Sequence, residues 1–408
     1  MKIVAVDPIY LKMPKVTAAA DGTQDTLLVR VRTDEGSEGW GECDASPLVS
    51  LSVYCCPMSH GNIINIRESL VGEKIDSVED VRRLRGKVLR QGLDIQQIHH
   101  AYSGADIALW DVVGKKLGRP VYQLLGSVGP AEPDNPRPAQ PDLQKKQYPK
   151  LPYASVLFGD SPEETLKVAR GLRERGFRAM KFGWGPLGSK DAAFDEALVR
   201  AAREGIGNQA ELMVDAGVAW GDDVDTVLER ARRFAPFGVT WLEEPLHPDA
   251  IGRYHRLAHR RPAIPIAAGE NCGSARAAED YLENAGVSFI QIDAGRIGGI
   301  TPARMICEQA AAKGVTYVNH TFKSRLSLAA ALHVFADQEE FKYLEYPAAG
   351  SRLAFDLVKG LERDGKGMVS LPEKAGLGVE VNMEVVREFA VGVKIELSGQ
   401  ILFESGSL

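Results

Sequence analysis

The chain has 408 residues, more than one ordinary compact domain needs, so more than one structural unit is expected; an α/β barrel alone can take about 250 residues. Hydrophobic residues make up 44% and charged residues 25%, which excludes extensive disorder, and a net charge of −6 gives no general attraction for nucleic acid or anionic membrane. No apolar run reaches the roughly 18 residues of a membrane helix, the first residues lack a signal-peptide core, and the five cysteines form no CxxC pair. A cytoplasmic protein with ordinary thiols is expected, with neither nucleic acid nor membrane as a partner.

Ile3 to Leu11 reads as extended, and Leu27–Arg32 and Gly39–Glu42 read as strands on either side of the turn Asp34-Glu-Gly-Ser. Helical spacing follows at about 77–91 and 97–117, where Ala105, Leu109 and Val112 recur on one face. This is a small α+β unit, assigned to residues 1–128. Residues 130–152 hold seven of the 22 prolines, so 129–152 reads as a linker or exposed loop.

From about 153 short apolar runs alternate with amphipathic stretches. Strands are expected at Ala154–Leu157, Ala179–Phe182, Leu212–Val214, Val239–Leu242, Ile264–Ala268, Phe289–Ile292, Thr316–Val318 and Lys342–Leu344, with helices near 162–175, 191–204, 223–234, 249–260, 275–285, 301–313 and 325–336. Eight strands joined by helical crossovers predict a closed parallel barrel over 153–350. The tail, 351–408, reads as short turns packing back on the N-terminal unit.

The strand ends carry the chemistry. Lys181, Asp215, Glu243, Glu270, Asp293, His320 and Glu345 each fall at or just after a predicted strand, 23 to 34 residues apart, about one βα unit each. In a barrel those ends meet at one mouth, where active sites of this fold lie. A single acid there could simply be solvated or paired with an arginine. Asp215, Glu243 and Glu270 on consecutive strands instead suit a hard divalent cation such as magnesium. Asp293 and His320, on neighbouring strands, suit a carboxylate that holds an imidazole in one tautomer as a general base. Lys181 offers a cation for a substrate carboxylate.

These residues sit in motifs: Gly39-Trp-Gly-Glu42, Asp106-Ile-Ala-Leu-Trp-Asp111, Gly114-Lys-Lys-Leu-Gly118, Gly176-Phe-x3-Lys181, Trp241-Leu-Glu-Glu-Pro245, Gly269-Glu-Asn271, Asp293-x4-Gly298-Gly299 and Asn319-His320. Together they resemble the mandelate racemase subgroup of the enolase superfamily over essentially the whole chain. The resemblance implies an α/β fold with an α+β cap, that is, a modified TIM barrel, (β/α)7β, under an N-terminal capping domain completed by the C-terminal tail. It also implies one Mg2+ per subunit held by Asp215, Glu243 and Glu270, and removal of the proton α to a carboxylate. His320 with Asp293 would be the base dyad, Glu345 the acid of the eighth strand, and Lys181 the first lysine of a Lys-x-Lys motif. Members of the family are commonly homo-oligomers, dimers or octamers.

One departure matters. The second lysine would fall at Gly183, and racemisation needs a base on each face of the carbanion. A lone His320 can still take an α-proton and return it to a β-hydroxyl leaving from the same side. Dehydratases of the rhamnonate type are similar here, with a related Trp184-Gly-Pro186 stretch, so a dehydratase acting on a small acid sugar is expected first. Cycloisomerisation of an anhydro-sugar acid or lactone, epimerisation, and a non-catalytic scaffold are the alternatives.

Other signals are weaker. Gly295-Arg-Ile-Gly-Gly299 reads as a turn, and His255 with His259 as a solvated helix face. Lys323 stands near where barrels often bind phosphate. The cap loops at about 14–25 and 47–62 would set specificity, the second offering His60 and Ser59. Trp184, His60, Lys323 and Lys181 are therefore the expected substrate contacts.

Overall fold

Alternating apolar residues build a three-stranded antiparallel meander from β1 (Ile3–Lys12), β2 (Asp25–Thr33) and β3 (Glu38–Cys43). The computed structural model describes residues 1–17, 21–44, 46–61, 63–125 and 145–406. Most of the proline-rich stretch, up to residue 144, and positions 18–20 of the first cap loop lie outside the described residues. The helix Ile98–Leu117 lies directly across β3. A β-carbon on Gly41 would stand 2.0 Å from the Gly104 carbonyl oxygen, and one on Gly39 2.1 Å from that of Ala108. Glycine at both places of the Gly-Trp-Gly-Glu motif is what admits the helix.

The barrel strands are β4 (Leu151–Leu157), β5 (Ala179–Gly183), β6 (Glu211–Asp215), β7 (Val239–Glu243), β8 (Ile266–Ala268), β9 (Phe289–Ile292), β10 (Thr316–Asn319) and β11 (Tyr343–Pro347). They form one parallel sheet in the order β10-β9-β8-β7-β6-β5-β4-β11. At the seam between β10 and β11 a side chain replaces the backbone ladder. The Asn319 carboxamide accepts from Glu345 N at 2.9 Å and donates to Glu345 O at 3.3 Å. Helices Pro162–Glu174, Ala192–Ile206, Val224–Phe234, Ile251–His259, Ala275–Asp280, Ile300–Lys313 and Arg325–Phe335 fill the crossovers. Every expected barrel strand and helix is present, most within two residues of its expected limits. Pro152, expected in the linker, is instead the second residue of β4, near the strand's start, where a missing N–H is tolerated.

Inside the barrel, Tyr153, Met213, Trp241 and Tyr343 pack with Ala179, Ala267 and Val318 as a core of their own. The Trp241 ring lies edge-on to Tyr153 and Tyr343, with centroids 5.5 and 5.3 Å away. This plug closes the barrel below, and the next inward positions, at the strand ends, carry the polar residues.

Buried acids of the N-terminal motifs clasp the cap to the rest of the chain. Asp106 accepts from Thr301 N and Oγ1 at 2.9 and 2.8 Å. Glu42 accepts from Ser324 Oγ and Ser327 N, at 2.5 and 3.1 Å, and Asp111 from Leu377 N at 2.9 Å. The last segment meets the cap directly, through Val391 N donating to Tyr10 O at 2.8 Å. It is more regular than expected. Met383–Phe389 is a helix, and β12 (Lys394–Leu397) pairs with β13 (Gln400–Glu404) as a hairpin. The stretch 47–62, expected as a loop, begins with the helix Pro47–Cys55, where Pro47 stands in the first turn, the one place a helix accepts it. No helix among the described residues is long and apolar enough to cross a membrane.

Candidate active site

Asp215, Glu243 and Glu270, from β6, β7 and the turn after β8, are 5%, 0% and 8% exposed and offer carboxylate oxygens within 4.8 Å of one another. Burial and the Glu243 charge push the Asp215 carboxyl well above its usual range. Burial also raises Glu243, although Lys181 pulls against it. Glu270 is held low: burial opposes its charge, but His320 and Arg296 outweigh it. Three buried carboxylates so crowded are the donor set of a hard divalent cation, which relieves their repulsion. The residues present fit such an ion.

Lys181 on β5 donates to Glu243 and lies 2.8 Å from Glu345 Oε1 and 3.7 Å from Asp215 Oδ2. Burial disfavours its charge, but Glu243 and Glu345 outweigh burial and hold the ammonium protonated. Glu345 also accepts from Thr321 N at 2.7 Å.

His320 follows β10 and is 5% exposed. Its Nδ1 stands 2.7 Å from Asp293 Oδ2, and Gly295 N donates to the other Asp293 oxygen at 2.6 Å. The network assigns the proton to Nδ1 and points Nε2 into the cavity, 3.4 Å from Glu270 and 4.0 Å from Glu345. Burial opposes the imidazolium, yet Glu270 and Glu345 prevail and push its pKa up to about 10. Asp293 is raised to about 6 by burial and by Asp44.

Lys181, Asp215, Glu270, His320 and Glu345 line a cavity of about 260 Å3, together with Trp184, Ser155, Asp44, Arg296 and Lys323, while Glu243 and Asp293 contact Lys181 and His320 from behind its wall. Trp184 is 46% exposed and holds a left-handed backbone, φ 52°, a conformation stored at functional sites more often than elsewhere. Position 183 admits no side chain without movement. A β-carbon there would stand 2.6 Å from Asp215 Cβ and 3.0 Å from its Oδ2.

The structure thus brings together Lys181, Trp184, Asp215, Glu243, Glu270, Asp293, His320, Lys323 and Glu345. It leaves His60 aside. That residue is on the surface with Nε2 3.2 Å from Asp94 Oδ2, and it does not line the cavity. Three polar lining residues went unread in the sequence. Ser155 lies in register with Lys181 across β4 and β5, a phase that strand counting could have supplied. Asp44 directly follows the Gly-Trp-Gly-Glu strand, and Arg296 lies within the stretch read only as a turn. Arg296 Nε donates to Asp44 Oδ2 at 2.5 Å, and Lys323 Nζ stands 3.8 Å from Asp44 Oδ1. Burial alone would raise Asp44, but Arg296, Lys323 and His320 outweigh it and hold it at about 2. Asp44, Asp293 and His320 also converge within ligand range of one another, but these contacts already occupy them.

Two family profiles match the chain: the mandelate racemase / muconate lactonizing enzyme N-terminal domain over residues 2–126, and the enolase C-terminal domain-like family over 164–385. The chain belongs to the mandelate racemase and muconate lactonizing enzyme subgroup of the enolase superfamily. A crystal structure of a predicted mandelate racemase from Rhodobacter sphaeroides superposes with a TM-score of 0.91, at 41% identity and over 100% of both chains. The chain is 28% identical to the D-galactarolactone cycloisomerase of Agrobacterium fabrum, over 89% of this chain and 90% of that one. It is 24% identical to the N-succinyl-L-Arg/Lys racemase of Bacillus cereus, over 96% of this chain and 98% of that one. It is an enzyme of that superfamily, with a buried acidic triad for a divalent metal.

Proposed function

We propose that the enzyme removes the proton α to the carboxylate of an acid sugar with His320 as its single base. It then expels the β-hydroxyl from the same face, giving a 2-keto-3-deoxy acid. The observation that carries this reading is the asymmetry of the cavity. His320 Nε2 faces it, Lys181 is held protonated between two glutamates, and position 183 is closed by Asp215. Racemisation, the activity of one relative, calls for a second base that the described residues do not supply.

Asp215, Glu243 and Glu270 would hold a Mg2+ ion, whose positive charge would favour loss of the proton from the α-carbon. A cation on the triad would take up the Glu270 charge that, with Glu345, keeps the imidazole protonated, which would leave His320 free to accept that proton at Nε2, with Asp293 stabilising the imidazolium that results. The electron pair of the broken C–H bond becomes the C2–C3 double bond as the C3–O bond breaks. The imidazolium returns its proton to the departing hydroxyl, which leaves as water, and the enol ketonises. Lys181 fixes the carboxylate end, Glu345 stands beside it as the acid of the eighth strand, and Trp184 walls the opening.

A second reading is favoured by the cycloisomerase relative: the same base opens a lactone or anhydro ring, and the ring oxygen leaves in place of water. Screening acid sugars, their lactones and anhydro forms for 2-keto-3-deoxy acids separates the two. Release of water from open-chain acids supports dehydration. Ring opening alone supports cycloisomerisation, and inverted starting acid with no elimination contradicts both.

A further inference from the structure

We infer that the cap-side end of the cavity receives a neutral, hydroxyl-bearing end of the substrate, so that the substrate carries one carboxylate and not two. This rests on the acid-sugar reading above and narrows it. Among the described residues, each cation lining the cavity already has a carboxylate partner. Lys181 lies between Glu243 and Glu345. Arg296 is bound to Asp44 at 2.5 Å and also reaches Glu270 at 3.4 Å. Lys323 donates to Asp25 O at 3.0 Å and Asp25 Oδ1 at 3.2 Å, and faces Asp44 at 3.8 Å. A metal on the triad would engage Glu243 and leave Lys181 to the first carboxylate, whereas Asp44 and Asp25, the partners of Arg296 and Lys323, lie outside the triad. A second carboxylate, at the other end of a six-carbon chain, would meet Asp44 with no uncommitted cation beside it.

Asp44 is held in place from both sides, by Arg296 on Oδ2 and by its own N–H donating to Gly295 O at 3.1 Å. An ionised carboxylate only accepts hydrogen bonds, so it selects donors, that is, hydroxyls, and repels another carboxylate.

The test uses the Mg2+-loaded enzyme and pairs of acids that differ only at the far carbon: galactonate with galactarate, and gluconate with glucarate, each also as the lactone. Deuterium entry at C2 and formation of 2-keto-3-deoxy acid are followed by NMR. The mono-acid member of a reactive pair is expected to exceed the di-acid in kcat/KM by about 100-fold, the effect of one uncompensated like-charge contact. Asp44→Asn is expected to narrow that ratio at least about tenfold, by relieving the repulsion. Di-acids turned over as well as mono-acids, or a ratio that Asp44→Asn leaves unmoved, would overturn the inference while the acid-sugar reading stands. Neither exchange nor product with either class would overturn both.

Discussion

The Nδ1 atom of His320 stands 2.7 Å from Oδ2 of Asp293, and this one hydrogen bond fixes which imidazole nitrogen faces the substrate. Asp293 is itself anchored by Gly295 N, so the dyad is rigid before any ligand arrives. Asp293→Asn keeps the shape but can hold the ring in the wrong tautomer and no longer balances the imidazolium. The expected outcome is a fall in kcat of at least about 100-fold with KM nearly unchanged. Steady-state kinetics on the first turned-over substrate checks it, and an equal loss in both parameters would argue for a binding role.

The triad gives a prediction that needs no substrate. Mg2+ binds only the folded protein, so it should raise the unfolding free energy, by about 2.7 kcal/mol at a concentration 100 times the Kd. Glu243→Gln removes a charged ligand and should abolish most of that increment, as read in thermal melts with and without the ion. Chelation should remove activity from the wild type. Stabilisation undiminished in the variant would place the ion elsewhere.

Gly183→Ala tests the tight fit of position 183 against Asp215. The added β-carbon cannot fit 2.6 Å from Asp215 Cβ, so Asp215 must shift. Magnesium affinity is expected to drop by about tenfold or more, since small displacements of ligand-orienting groups have that effect. Circular dichroism should remain that of the wild type. Unchanged affinity in calorimetry would mean that the wall yields and that a longer side chain at 183 could enter.

Much of this was legible in the sequence because the barrel repeats one physical rule. Each apolar run ends where its strand meets the mouth, so the residue after the run is a site residue, as with Asp215, Glu243 and Asp293. The N-terminal motifs were recognisable but their work was not, since only the fold shows that Asp106 and Glu42 clasp cap to barrel. Asp44 and Arg296 were hidden for a similar reason. They lie 252 positions apart, and neither is meaningful until the cap is set upon the barrel. His60 lies in the irregular stretch after the helix Pro47–Cys55, beside Asp94 and outside the cavity lining.

Acid stability should report on His333, far from the mouth. This residue is fully buried, and its Nδ1 accepts from Tyr122 N at 3.1 Å, which requires a neutral ring. Burial lowers its pKa from 6.5 to about 4. Between those values the unfolded chain binds more protons than the folded one, so stability rises with pH there and is lost as pH falls from 6.5 toward 4. The full loss from this group is roughly 3 kcal/mol at 1.36 kcal/mol per pKa unit. Urea midpoints measured at pH 7 and pH 4.5 should differ less in His333→Gln than in the wild type, and equal differences would exclude His333 as a source of acid sensitivity.

The central claim is that one base, His320, does all the proton transfer. Its most direct test is exchange of the substrate α-proton in deuterated water with Mg2+ present, comparing wild type with His320→Asn by NMR at C2. The account predicts exchange and elimination in the wild type and neither in the variant, while the variant still gains thermal stability from Mg2+. Retained exchange in His320→Asn would contradict it, because a second base would then have to face the cavity, and Lys181 would be the first residue to replace.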